Sequence, residues 1–492
     1  MFVIIYLGFE QLVKFSFSVG RKNMGKNAKV GDEPIYDARS LGTGRMLVLG
    51  LQHMFGMFGA TVLVPIITGL DVSTTLLFAG LGTLLFHLIT GRKVPAFLGS
   101  SFAFLGGYAA VAPLLDGGAS NKELLPYACF GVAVSGLLYL VLAFLFRTFG
   151  AGRVMKFFPP VVTGPIIIAI GLNLAPSAIN NCADNWNWIP AITAIAIVIC
   201  CNIWGKGLIR IVPILLGVLG SYFVSAVMDA LGVEMIDYSQ VASAPWIGFP
   251  IHYENTVFSL FTNGFDSGVL ITAVITIVPI AFATMMEHIG DISAISSTTG
   301  RNYIKDPGLH RTLIGDGLAT ALASLFGAPA NTTYGENTGV LTLTKVYDPL
   351  VIRIAAGFAV LMSFCPKFAA IIETMPNGTI GGISLVLYGM ISAVGIRNLV
   401  ETHVDFSKSR NVLVAAMIMV LTIGISYSAG GSLPLPFGGV SLSGLATGSL
   451  VGILLNAVLP GKDYKFEDEL PNATGVDFEM TQGESDELDK AQ

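Results

Sequence analysis

From about residue 45 to 460 the chain is a succession of apolar runs separated by short polar joints. A helix that crosses ~30 Å of hydrocarbon needs roughly 20 residues, and twelve segments match that pattern: 46–66, 73–91, 124–146, 159–177, 188–204, 211–231, 268–288, 312–328, 349–371, 379–396, 411–428 and 439–459. Two further segments, 95–115 and 329–344, are interrupted by Gly, Pro, Ser, Thr and Asn. Composition makes these runs membrane spans rather than a soluble core. Of 492 residues, 53% are hydrophobic and 12% charged, against roughly a quarter charged in soluble domains, and the mean hydropathy is +0.72. The 57 Gly and 23 Pro fit the same class, since both are more frequent in membrane helices than in soluble ones.

Charge decides whether the interrupted segments cross, because Lys and Arg near span ends mark the cytoplasmic side. Basic residues cluster at Arg21 to Arg45, Arg92 and Lys93, Arg147 to Lys156, Lys206 and Arg210, Arg301 to Arg311, Lys345 and Arg353, Arg397 to Arg410, and Lys462 and Lys465. Between Arg210 and Arg301 there is no Lys or Arg, so the 232–267 loop, with Trp246 and Tyr253, is expected outside. With Lys93 and Arg147 both inside, the chain between them crosses an even number of times, which forces 95–115 to cross; the same parity forces 329–344 across. The expectation is an all-α polytopic protein of the cytoplasmic membrane with 14 transmembrane segments and both termini cytoplasmic. Fourteen divides into two inverted repeats of seven, the organisation of secondary transporters. The interrupted segments are then spans 3 and 10, and they begin alike: Pro95-Ala96 then Ser100-Ser101-Phe102, and Pro329-Ala330 then Thr332-Thr333-Tyr334. Interrupted backbone at membrane depth must line a cavity or be buried in protein, so this pair points to the binding site.

Ionisable residues at that depth are costly and functional by default. Glu336 lies in span 10 within Asn331 to Gly339, and span 8 ends in Glu287-His288-Ile289-Gly290-Asp291. The structural alternative for Glu287 is a helix-terminal charge near water. Glu287 and Asp291, at i and i+4, share a helix face and form a candidate proton-carrying pair. His53 in span 1 is either a hydrogen-bonded packing residue or a proton relay, and His87 reads as structural. Phe102 and Tyr388 are candidates to stack on a flat ligand, although aromatics in such a core usually pack. The Asn331-Thr332-Thr333 sequon falls inside the membrane and is no glycosylation candidate. Five scattered cysteines lack metal-site spacing. No cofactor is expected, no basic stripe suggests nucleic acid, and no GxxxxGK[ST] loop provides for ATP. An intramembrane enzyme, built on Glu287-His288 with His53, is the competing class; HExxH is absent, with Asp291 where its second His would stand.

Glu336-Asn337-Thr338-Gly339-Val340-Leu341-Thr342-Leu343-Thr344-Lys345 matches, at every specified position, the signature [QEP]-N-x-G-x4-T-[RKG] of the nucleobase-cation symporter-2 family, also called the nucleobase-ascorbate transporters. Pro329 to Gly339, Gln52 to Pro65, Pro95 to Phe104 and Gly381 to Gly389 resemble the corresponding stretches of its bacterial uracil permeases, and the resemblance covers about 45 to 460. It implies a fold of seven plus seven spans, with a short strand and a half-helix in spans 3 and 10. A core domain (45–146 and 268–373) would move against a gate domain (147–231 and 379–460). It further implies a proton-coupled importer of uracil, homodimeric in the bilayer. Carried over by residue, uracil would meet the side chains of Glu287 and Glu336, backbone around Phe102 and Gly335, and packing from Ala60, Tyr334 and Tyr388. Proton coupling falls to Asp291, Glu287 or His53. Uracil permeases often have His where this chain has Asp291, an Asp familiar from purine-transporting relatives; Glu336 is the uracil-type choice where bacterial purine carriers commonly have Gln. A xanthine or uric acid symporter is therefore the alternative. Residues 1–44 form an N-terminal cytoplasmic extension, of which 1–23 read as an over-extended reading frame or an interfacial helix, and 461–492 form an acidic cytoplasmic tail.

Overall fold

The computed structural model describes residues 30–461 apart from 32, 116–119, 184–185, 207 and 435–440; the N-terminal apolar stretch and the acidic tail lie outside the described residues. The chain is built almost wholly of helices: α1 (Thr43–Thr68), α2 (Val72–Ile89), α3 (Leu105–Val111), α4 (Leu125–Phe149), α5 (Pro160–Asn181), α6 (Trp188–Trp204) and α7 (Pro213–Ala230). After the 232–267 loop come α8 (Ser267–Thr299), α9 (Leu309–Leu325), α10 (Gly335–Thr344), α11 (Pro349–Ser363), α12 (Pro366–Glu373), α13 (Asn377–Glu401), α14 (Ser409–Ser426) and α15 (Gly444–Val458). Two three-residue strands, β1 (Leu98–Ser100) and β2 (Asn331–Thr333), precede α3 and α10. Among the described residues, eight helices are long and apolar enough to cross a membrane, nine if α11 and α12 count as one broken span. This is a multi-pass membrane protein. The remaining segments expected to cross are shorter helices or the two strand-helix pairs.

Three expectations need correction. Span 8 does not end at 288: α8 runs on to Thr299, so Glu287 and Asp291 sit well inside a helix rather than at its terminus. The apolar run stops there but the hydrogen-bonded helix does not, because its polar continuation packs against protein. The run 349–371 is two helices meeting at 87°, broken at Phe364-Cys365, with Pro366 starting α12 where its missing N–H costs nothing. The last helix starts at Gly444, five residues later than the apolar run, after a short ribbon pairing Ser432–Pro434 with Ser441–Ser443.

The helices pack in two sets. One joins α1, α2, α4, α9 and α11, with α8 against α4; the other joins α5, α6, α7, α13, α14 and α15. Each set contains a crossing at which two glycines meet. A Cβ on Gly136 of α4 would lie 2.5 Å from the Gly317 carbonyl of α9, and one on Gly317 would lie 2.6 Å from the Gly136 carbonyl. Gly164 of α5 and Gly395 of α13 approach in the same reciprocal way. Lipid tails are as apolar as Leu, so helices in a bilayer associate through such close backbone contact rather than hydrophobic exclusion.

Contacts join distant connecting segments. Lys93 pairs with Asp306 at 2.5 Å and the Arg301 guanidinium lies 4.2 Å from the Tyr36 ring centroid. The Lys367 ammonium sits 5.3 Å from the Trp246 ring centroid, and the Thr74 hydroxyl donates to the Pro250 carbonyl. In a variant lacking native cysteines, Ser120→Cys and Gln240→Cys should react with an impermeant maleimide on intact cells, and Lys305→Cys only after permeabilisation. External labelling at 305 would overturn the orientation.

Candidate functional site

The interrupted segments 95–115 and 329–344 meet through their strands within the first helix set. β1 and β2 are antiparallel, with Leu98 opposite Thr333, Gly99 opposite Thr332 and Ser100 opposite Asn331. The Ser101 N–H donates to the Ala330 carbonyl at 2.8 Å and the Tyr334 N–H to the Phe97 carbonyl at 3.1 Å. Three-residue strands leave backbone groups that nothing in a bilayer would satisfy, and the surrounding helices supply partners. The Leu98 N–H donates to Thr83 Oγ1 (2.9 Å), the Thr320 hydroxyl to the Asn331 carbonyl (2.5 Å), Asn331 Nδ2 to the Phe78 carbonyl (2.8 Å), and the Tyr334 hydroxyl to the Ser100 carbonyl (2.8 Å). The residue types that interrupt the apolar pattern are the ones that close this network.

Each strand then turns into a short helix whose first N–H groups lack intrahelical partners, so two helix N-termini converge on the crossing. α8 passes the start of α10. The Thr333 hydroxyl donates to Asp291 Oδ2 at 2.8 Å, and a Cβ on Gly335 would come 3.8 Å from Asp291 Oδ1. Gly290 and Gly335 are exposed although Ile289, Tyr334 and Asn337 around them are buried. A Cβ on Gly290 would meet nothing within 4 Å, so a gap opens between α8 and the α10 N-terminus. Glu287, half-buried, lies one turn before Asp291 on the same face of α8. Glu336 is the second residue of α10, and its side chain lies outside the described residues. Ala60, Phe102, Tyr334 and Tyr388 belong to one buried cluster, in which the Phe102 and Tyr388 rings meet edge-on with centroids 6.2 Å apart at 77°. His53, fully buried, is tied to α10: Asn337 Nδ2 donates to the His53 carbonyl at 3.1 Å and lies 3.3 Å from its Nδ1. His87 Nε2 is 2.9 Å from the Ala96 carbonyl, bracing the entry to β1.

One carboxylate at this centre is not singled out by the sequence reading. Asp316 of α9 is fully buried, with Oδ2 3.3 Å from His288 Nδ1, and that same nitrogen is 3.4 Å from Thr333 Oγ1. Tyr139 of α4 reaches α8 through its hydroxyl, which donates to Thr284 Oγ1 at 2.5 Å. Asp291, Thr333, His288 and Asp316 thus form a polar chain linking α8, β2 and α9. The signal for Asp316 was present, a lone acidic residue within 312–328; it carried no motif and no partner at helical spacing. Among the described residues, no group of three His, Cys, Asp or Glu could hold a metal ion.

Paired strand-half-helix elements inside a helical membrane body, with Asp291 beside the N-terminus of α10, are the arrangement of one class, the membrane transporters. Solved transporters share the fold. The transmembrane domain of the cyanobacterial bicarbonate transporter BicA aligns over 86% of this chain and 99% of its own, at 15% identity and a TM-score of 0.55. SLC26A9 aligns over 84% of this chain and 64% of its own, at 12% identity and a TM-score of 0.58. Residues 44–430 match the Xan_ur_permease model, described as the permease family, and the chain belongs to that family, the nucleobase-cation symporter-2 permeases. It is 38% identical to the uracil permease of Bacillus caldolyticus, over 89% of this chain and 97% of that protein. To the uracil permease of Bacillus subtilis it is 37% identical, over 83% and 91%, and to that of Escherichia coli (strain K12) 36%, over 83% and 90%.

The strand crossing is tight at Gly99, where a Cβ would come within 2.6 Å of Thr61 Oγ1 and of the Tyr334 ring. Gly99→Ala is expected to destabilise the protein by about 1–3 kcal/mol through overpacking, seen as a lower apparent melting midpoint in detergent. Gly357→Ala, in the interior of α11 with open space around it, should leave the midpoint unchanged or raise it.

Proposed function

We propose that the chain imports uracil across the cytoplasmic membrane by proton symport, with both termini in the cytoplasm. The observation that carries this reading is the gap between the Glu287–Asp291 face of α8 and the N-terminus of α10, bordered by Gly290 and Gly335, in a chain 36–38% identical to bacterial uracil permeases. Uracil is flat and neutral, with two N–H donors and two carbonyl acceptors. The carboxylates of Glu287 and Glu336 take the donors, and backbone N–H groups near Phe102 and Gly335 meet the carbonyls. Ala60, Tyr334 and Tyr388 wall the ring. Hydrogen bonds to charged groups contribute roughly 1.5–3 kcal/mol each. Two of them, with packing, make a micromolar site.

Fourteen crossings in two inverted repeats account for the paired strand-helix elements. In this reading the set of α1–α4 and α8–α12 is the core that carries the substrate, the set of α5–α7 and α13–α15 is the gate, and the working unit is a homodimer. Asp291 is the proposed proton carrier, with Glu287 and His53 as the other candidates. The second reading is a purine symporter, favoured by Asp291 itself, which stands where uracil permeases often have His. Glu336 argues for uracil, because its position is the one that meets the ring.

Proteoliposomes given an inward proton gradient should accumulate radiolabelled uracil without ATP, and uracil and 5-fluorouracil should compete better than xanthine or uric acid. Preference for xanthine would move the chain to the purine reading, and binding of no nucleobase would refute both. Glu287→Ala and Glu336→Ala should each weaken equilibrium uracil binding by about 1.5–3 kcal/mol, roughly ten- to a hundred-fold or more.

Asp291→Asn preserves shape and removes titration. It should keep uracil binding and counterflow exchange and lose gradient-driven accumulation. Normal accumulation by this variant would exclude Asp291 as the carrier and pass the role to Glu287 or His53.

A further inference from the structure

Away from the strand crossing, a cavity of about 570 Å³ lies between α4, α8 and α15 and is closed at one end by the connector that follows α4. Its size falls in the range of small-molecule sites, about 300–1,000 Å³, but its chemistry is not that of a polar substrate site. Val141 and Leu142 of α4, Phe282 of α8, Ile453 of α15 and Phe158 line it, and Arg153 is the one charged lining residue. Phe158 and Phe282 stack with centroids 6.2 Å apart at 22°, fixing the connector against α8. Val141 on the cavity wall is 54% exposed, so the cavity opens toward the lipid-facing flank. Water has no polar partners in such a wall.

The connector is the basic end of the cavity. Arg153 and Lys156 are exposed there, and Arg147 lies close enough to His310 and Arg311 to act on the histidine's charge. Among the described residues, Arg147, Arg153, Lys156 and Arg311 have no ion-pair partner. An apolar slot with exposed basic side chains at the end of a membrane helix matches an acyl chain with an anionic head group, since basic pockets between membrane helices bind lipid phosphates.

We propose that this cavity is a site for an anionic phospholipid of the cytoplasmic leaflet, one acyl chain lying between α4, α8 and α15 and the phosphate held by Arg153 and Lys156. The lipid then sits in the seam between the two helix sets. Its leaflet and its effect on transport rest on the orientation and the core-and-gate reading above, but its binding does not.

Native mass spectrometry of the full-length protein, equilibrated with palmitoyl-oleoyl phosphatidylglycerol or phosphatidylcholine and then washed in mild detergent, tests binding directly. The wild type should retain phosphatidylglycerol in preference to phosphatidylcholine. Arg153→Gln/Lys156→Gln, at exposed positions, should weaken retention about ten- to thirty-fold through loss of two phosphate-facing cations. Val141→Trp, which fills the slot and spares the cations, should also reduce retention. Equal retention of both lipids by the wild type, or retention unchanged in both variants, would overturn the proposal. Loss in the Arg153/Lys156 variant with none in Val141→Trp would reduce the site to a surface phosphate contact and overturn it too. None of these readouts involves a nucleobase, so they stand or fall apart from the uracil assignment.

Discussion

Breaking a helix at membrane depth is permitted only if every freed backbone group finds a partner, and the centre of this molecule is organised by that demand. The antiparallel β1–β2 pair satisfies part of it. Thr83, Thr320, Asn331 and Tyr334 satisfy more, each bridging a strand residue to a neighbouring helix or to the opposite strand. This ties α2, α9, β1 and β2 into one body. Gly99 allows the Tyr334 ring and Thr61 to close over the crossing. The return on this construction is a pair of helix N-termini at the middle of a helical bundle, where an uninterrupted helix would present only apolar side chains.

The same construction brings Asp291 of α8 into contact with β2. Asp291 accepts a hydrogen bond from Thr333, the last residue of β2 and two before α10. A bond to a carboxylate is roughly twice as strong as one between neutral groups. With Asp291 in its proposed role as proton carrier, gain or loss of that proton changes how firmly β2, and with it the start of α10, is held against α8. His288 and Asp316 extend the chain to α9. Asp316 has no place in the ligand set proposed for uracil; it stands 3.3 Å from the same His288 nitrogen that lies 3.4 Å from Thr333 Oγ1. In the proposed site, substrate and proton need not share an atom to be coupled, because both act on this short strand.

What the sequence makes legible follows from where polarity costs most. The breaks in 95–115 and 329–344 stand out because Pro, Ser, Thr and Asn are expensive in a membrane unless they bond, and β1 and β2 lie inside those two segments. The i, i+4 spacing of Glu287 and Asp291 correctly puts them on one face. The course of α8 beyond 288 is hidden because hydropathy reports contact with lipid, whereas helix continuation is governed by backbone bonding; residues 289–299 mix polar residues with the buried Ile289, Ile292 and Ile295. The bend at Phe364-Cys365 is hidden for the converse reason, since both arms are apolar. Asp316 is conspicuous by charge alone, and only the fold brings His288 to it.

On the assignment proposed above, specificity is divided between two elements in different structural settings. Glu336 belongs to a half-helix anchored through Asn337 to α1. Position 291 lies on a continuous helix and is engaged by Thr333 rather than turned freely into the gap. In the proposed site a change between Asp and His at 291 alters the charge beside Thr333 of β2 and acts on the ring through that strand. In the same proposed site a change between Glu and Gln at 336 alters the donor and acceptor pattern offered to the ring itself. Discrimination between a pyrimidine with two N–H donors and a purine with a different edge belongs to the residue that meets the edge. For that reason the Glu at 336 weighs more than the Asp at 291 in assigning uracil, and the Asp at 291 weighs more in assigning how the proton is carried.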